Sequence, residues 1–61
     1  MNFETIHKEL DFQGRKKTWL IKQIGTYPVE YYRVVNNEKD VPLGWAEKIS
    51  SLLNIPIDKI K

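Results

Sequence analysis

Apolar residues along the chain recur at helical rather than strand spacing. Phe3, Ile6 and Leu10 fall at i, i+3 and i+7, which predicts a short amphipathic first helix. The stretch DFQG, Asp11 to Gly14, then reads as a loop. A second helix is predicted over Arg15–Ile24, with Leu20 and Ile24 on one face. Gly25 stands where a helix end needs a residue in the left-handed conformation. Pro28 suits the first turn of a third helix, where its missing N–H would be unpaired in any case. The residue before a proline avoids helical geometry, so Tyr27 marks the boundary. Tyrosine is a poor N-cap, and the one available compensation is Glu30 reaching back. NNEKD ends this third helix, with Asn37 suited to the left-handed region. A fourth helix is expected from Pro42 to about Leu53, burying Ile49, Leu52 and Leu53, with Asn54 ending it. IPIDKI supplies a last turn with Ile57 and Ile60 inward. The expected fold is all-α, a compact domain of four to five helices, with no repeat, linker or low-complexity stretch.

With 61 residues, the chain is one domain spanning residues 1–61. A domain of this size buries only about 60% of the surface its unfolded chain exposes. It has no cysteine to staple it, so helix packing or self-association must supply stability. No apolar run approaches the roughly 20 residues of a membrane span. The opening MNFETIHKEL mixes charged with apolar residues, unlike a secretory signal, and a cytoplasmic location is the default expectation. Net charge is only +2, but its distribution is uneven. The first twelve residues hold Glu4, Glu9 and Asp11 against Lys8. The next seventeen hold Arg15, Lys16, Lys17 and Lys22 and no acid, which points either to an anionic partner or to a solvated lysine face.

The third helix has an unusual polar side. On a helical wheel, Tyr27, Tyr31 and Val34 share one side, with Val35 at its border. Pro28, Val29, Tyr32, Arg33 and Asn36 share the other. The first is an adequate core stripe, so Tyr27 and Tyr31 are expected inside. The second has neither Lys nor Glu, the usual occupants of a solvent face. It offers a guanidinium, an amide, a phenol and two small apolar groups. That set suits a major groove: arginine can donate two hydrogen bonds to guanine O6 and N7, asparagine can pair with adenine, and valine can touch a thymine methyl.

These pieces together resemble the Cro/repressor type of helix-turn-helix protein, the small phage-repressor-like (XRE-like) family. The resemblance covers roughly three quarters of the chain, from about Lys16 to Ile60. KKTWLIKQIG matches the first motif helix and turn, TYPVEYYRVVNN the recognition helix, and VPLGWAEKISSLLNIPIDKI the closing helices. Leu20 and Ile24 take the family's leucine and branched residue before the glycine. Val34 takes its aliphatic residue nine positions after it, and LLNIPIDKI is similar to the family's ending. The chain departs from the pattern at Ile21, where a small residue is usual and a bulky one implies a shifted helix crossing. It departs also at Tyr31, in place of isoleucine or valine, at Lys16, in place of a capping side chain, and in the short first helix with its loop.

The resemblance implies a lambda-repressor-like fold and a sequence-specific regulator of transcription from a phage or mobile element. It would be a non-enzymatic protein without a cofactor, acting by occupying a duplex DNA operator. It places base contacts at Pro28, Val29 and Arg33, with Tyr32 beside them, in a recognition helix of about 28–36. It places phosphate contacts at Lys17 and Asn36, with Lys39 nearby, and the start of the second helix adds Lys16 and Arg15. Pro28 cannot hydrogen-bond a base edge through its side chain, so specificity should lean on Arg33 and Tyr32. The family often dimerises through its C-terminal region, which here would be the apolar segment 55–60, unless its isoleucines all belong to the core. Two other functions fit the same residues. One is a protein-binding module, such as a phage-encoded inhibitor of a host protein. The other is a non-specific or architectural DNA-binding accessory. Trp19 and Trp45 read as packing residues, although the Trp19 indole N–H can also reach a phosphate. His7 has no second ligand suitably spaced for a metal, and Ser50 and Ser51 have no base partner for catalysis.

Overall fold

A computed structural model describes residues 1–61 as four helices and no strand. They are α1 (Phe3–Phe12), α2 (Lys17–Ile24), α3 (Pro28–Val35) and α4 (Trp45–Leu53), followed by a single 3-10 turn at Ile57–Lys59. No helix is long and apolar enough to cross a membrane.

All four helices stop in the same way, with a left-handed residue: Gly14, Gly25, Asn37 and Asn54. In each, the next N–H turns back five residues to a carbonyl of the last helical turn. These bonds are Arg15 to Leu10 (2.8 Å), Thr26 to Ile21 (3.2 Å), Glu38 to Arg33 (2.8 Å) and Ile55 to Ser50 (3.1 Å). The closure satisfies carbonyls that a helix end otherwise leaves unpaired, and glycine and asparagine tolerate the required backbone best. At Gly25, φ is 88°, and this residue separates α2 from α3 with only Thr26 and Tyr27 following it.

The element boundaries differ from the sequence expectation at three places. Helix α1 runs two residues into the expected loop, because Asp11 and Phe12 continue its hydrogen bonding and the chain turns only at Gln13 and Gly14. Gln13 holds that turn by donating to the Leu53 carbonyl at 2.7 Å and to Glu9 at 3.0 Å, a contact with α4 that no local signal reveals. Helix α2 begins at Lys17, not Arg15, after Lys16 in extended geometry. Helix α4 begins at Trp45, not Pro42. Gly44 has φ 91°, which a right-handed helix cannot include, so Pro42 to Gly44 form a turn instead.

The core contains Phe3, Ile6, Leu10, Leu20, Ile21, Ile24, Tyr31, Val34, Trp45, Ile49, Leu53 and Ile60, and no polar or charged residue. Every helix contributes, and Leu52, Ile55, Ile57, Trp19 and Val35 pack against this cluster half-buried. Tyr31 is its centre. Its ring meets Phe3 edge-on at 5.6 Å and stacks with Trp45 at 5.8 Å. Its hydroxyl shares a 3.0 Å hydrogen bond with His7 Nε2. Burial pushes the Tyr31 phenol far above its ordinary pKa, so the hydroxyl stays protonated. The chain ends are tied together by a bond from the Asn2 N–H to the Ile60 carbonyl at 2.7 Å. Lys48 of α4 donates to the Ile24 carbonyl at the C-terminus of α2 (3.3 Å), where a positive charge also opposes the helix dipole.

Tyr27 is not in the core. It is 75% exposed, whereas Tyr31 is fully buried. The wheel argument fails for Tyr27 because its backbone is extended (φ −113°, ψ 155°), so the 100° step between helical residues does not apply to it. Ile21, the bulky residue expected to shift the helix crossing, is buried at 3% exposure.

Candidate nucleic-acid interface

Helix α3 follows α2 after a three-residue turn and packs on it. Tyr31 and Val34 anchor its inner side. Helical periodicity then turns Pro28, Val29, Tyr32, Arg33 and Asn36 outward, and all five are exposed. Val29 and Arg33 are one turn apart, as are Pro28 and Tyr32, and Tyr32 and Asn36, so they form one surface. Tyr32 is 40% exposed, with its ring edge-on to Tyr31 at 5.4 Å, which fixes its ring plane while leaving part of it to solvent.

The start of α2 forms a neighbouring edge of different character. Arg15, Lys16, Lys17 and Lys22 are all exposed, and none is in an ion pair. Lys16 occupies the capping position, and no side chain caps the first turn; the Trp19 N–H bonds to the Lys16 carbonyl, which leaves the Lys17 and Thr18 N–H groups open to an anion. The Arg15 guanidinium lies 4.1 Å above the Trp19 ring. Such stacking is worth about 0.5–1 kcal/mol at an exposed site, and it leaves the guanidinium N–H edge free to donate. Trp19 thus both packs on the core and steadies a cation. Gly14, Arg15, Lys16, Thr18, Trp19 and Lys22 line a shallow concavity of about 400 Å³. A second, of about 330 Å³, lies between α2 and the start of α3, where Thr18 and Lys22 face Tyr27 and Pro28.

Arg33 and Lys39 are in another situation. Glu30 projects between them: Arg33 Nη1 is 3.6 Å from Glu30 Oε1, and Lys39 Nζ donates to Glu30 Oε2. The Lys39 hydrogen bond and charge, with Arg33 as a lesser influence, hold the Glu30 carboxyl below its usual pKa. Glu30 therefore does not reach back to cap α3, and the first turn has no side-chain cap. Lys39, expected near a phosphate, is bonded to Glu30 in the free protein. The Arg33 contact had a local signal in its i, i+3 spacing. Lys39, nine residues from Glu30, had none, because the chain must first turn at Asn37 to bring it back.

His7 of α1 bonds to Tyr31 of α3 and feels the charge of Lys17 on α2. Burial lowers its pKa, the Lys17 charge lowers it further, and Asp11 opposes them. No group of His, Asp and Glu residues could hold a metal. Comparison with protein-family models, with curated proteins and with solved structures gives no match for this chain.

Proposed function

We propose that the chain is a sequence-reading, duplex-DNA-binding domain in which α2 and α3 act as a helix-turn-helix and α3 enters the major groove. The observation that carries this reading is the exposed set Pro28, Val29, Tyr32, Arg33 and Asn36 on one side of α3. Arg33 supplies the donor pair for guanine, Tyr32 and Val29 supply flanking contacts, and Pro28 approaches without reading. The unpaired cations Arg15, Lys16 and Lys17 at the start of α2 meet phosphates beside the groove, and Asn36 meets them from the end of α3. Regulation would be steric, by occupying an operator.

One short helix reads only a few base pairs. Two copies on half-sites about one helical turn apart would supply useful affinity. Ile60 is buried, so Ile55 and Ile57 are the part of segment 55–60 left to face a second copy.

The test is selection of bound duplexes from a random pool at two salt concentrations. A preferred sequence whose affinity falls steeply with salt is the expected result. Binding without preference would favour an architectural role. Absence of duplex binding at low salt would refute the reading and leave the exposed Tyr27 and Val29 as the start of a protein-binding surface.

A further inference from the structure

Helix α3 contains one acid, Glu30, and both of its carboxylate oxygens are occupied by cations. The two contacts are unequal. Lys39 makes a hydrogen bond, whereas Arg33 stands at 3.6 Å, beyond ordinary hydrogen-bond length, through a single terminal nitrogen. A guanidinium has five N–H donors in a planar fork. Held through Nη1 alone, Arg33 keeps its Nη2 and Nε donors unengaged by this acid, and its side chain is 56% exposed. Lys39, on the loop after α3, prevents the carboxylate from swinging freely. The order Lys39, Glu30, Arg33 is thus a chain of contacts from the loop to the guanidinium.

We propose that Glu30 is a positioning residue for base reading, anchored by Lys39 and orienting Arg33 so that its free N–H edge faces a guanine. This rests on the duplex-DNA reading above, with Arg33 as the base contact. Glu30 itself touches no base in this scheme. Its negative charge also disfavours any pose that brings phosphate to this part of α3, so it lowers binding to unselected DNA. Lys39 serves the reading surface through Glu30 instead of through a phosphate.

The experiment compares the wild-type chain with Glu30→Gln, Arg33→Ala and the double variant. Each is measured on the selected duplex, on duplexes changed at single base pairs, and on scrambled duplex. Glu30→Gln should lower the preference at the base pair read by Arg33 by about fivefold, the worth of one well-oriented hydrogen bond. It should tighten scrambled duplex by up to about fivefold, the effect of removing one like charge a few ångströms from a phosphate in water. In the Arg33→Ala background, Glu30→Gln should leave base preference unchanged. An unchanged preference in the single variant, or the same loss in both backgrounds, overturns the proposal. Lys39→Met should lower the same preference without changing the salt slope; a slope reduced by about one unit would make Lys39 a phosphate contact and break the chain.

A measurement on the free protein separates this inference from the DNA reading. Carboxyl titration by NMR should show Glu30 rising toward its ordinary pKa in Lys39→Met. No rise overturns the anchoring even where DNA binding holds. A wild-type chain without sequence preference defeats the DNA reading while the titration still reports on the anchor.

Discussion

The cations at the start of α2 and those around α3 differ in what they are committed to. Arg15, Lys16, Lys17 and Lys22 have no acid within ion-pair distance, and the closest organised contact is Arg15 over an indole face. Arg33 and Lys39 share one carboxylate. Uncommitted charges on flexible stems attract any polyanion and carry no geometric information. A guanidinium held by a carboxylate attracts less but points in a defined direction. The cations of these two adjacent helices thus differ in pairing: those of α2 have no acid, and Arg33 of α3 shares Glu30 with Lys39. Net charge alone conceals this, because the +2 total averages the two regions with the acidic start of α1.

The largest perturbation removes what both regions stand on. Tyr31→Ala should lose about 3–5 kcal/mol, the range for deleting a buried aromatic side chain. A chain of this length has roughly 3–9 kcal/mol in total. Thermal or urea melts followed by circular dichroism should show α2 and α3 lost in one transition. A folded variant with one helix frayed would show that the two surfaces do not share a core.

Smaller changes separate the regions. Arg33→Ala should cost about 1–3 kcal/mol on the selected duplex and relax preference at one base pair. Full retention of preference would remove Arg33 as the reader. Lys17→Ala should weaken all duplexes alike and reduce the salt slope by about one unit. A slope that does not move takes Lys17 off the phosphate backbone. The opposite pattern, with Lys17 altering sequence preference and Arg33 the slope, would reverse the assignment of roles.

The smallest effect concerns His7, which feels Lys17 and bonds to Tyr31 beneath α3. Its pKa in the folded chain is depressed, first by burial and then by Lys17, so the unfolded chain binds more protons as pH falls. Its stabilising contribution is complete above the unfolded value of about 6.5 and is lost as pH falls from there through the folded value. Melting temperature should therefore drop on acidification through this window, and His7→Gln should flatten the dependence there. An equal drop in the variant would place the sensitivity on other groups.

The features that were legible in the sequence were local. Gly25 and Asn37 end helices, Pro28 opens one, and Leu20, Ile24, Tyr31 and Val34 alternate inward at helical spacing. The exposed side of α3 followed from the same periodicity. What sequence reasoning missed depended on contacts between distant segments or on residues just outside a helix. Tyr27 looked like core only while it was counted as helical. Glu30 looked like a cap until the loop delivered Lys39 to it. Gln13 and Lys48 bond to carbonyls of other helices.

By itself the sequence determined where α3 starts and where α2, α3 and α4 stop, because those points depend on the sterics and hydrogen bonding of a few consecutive residues; the end of α1 and the starts of α2 and α4 fell elsewhere than it predicted. It also determined which side of each helix is apolar, because that needs only the 3.6-residue period. Only the tertiary structure decided which cations remain free and which are paired. An ion pair requires two side chains to meet within a few ångströms, and that distance is set by how the helices and the loop after α3 are folded against one another.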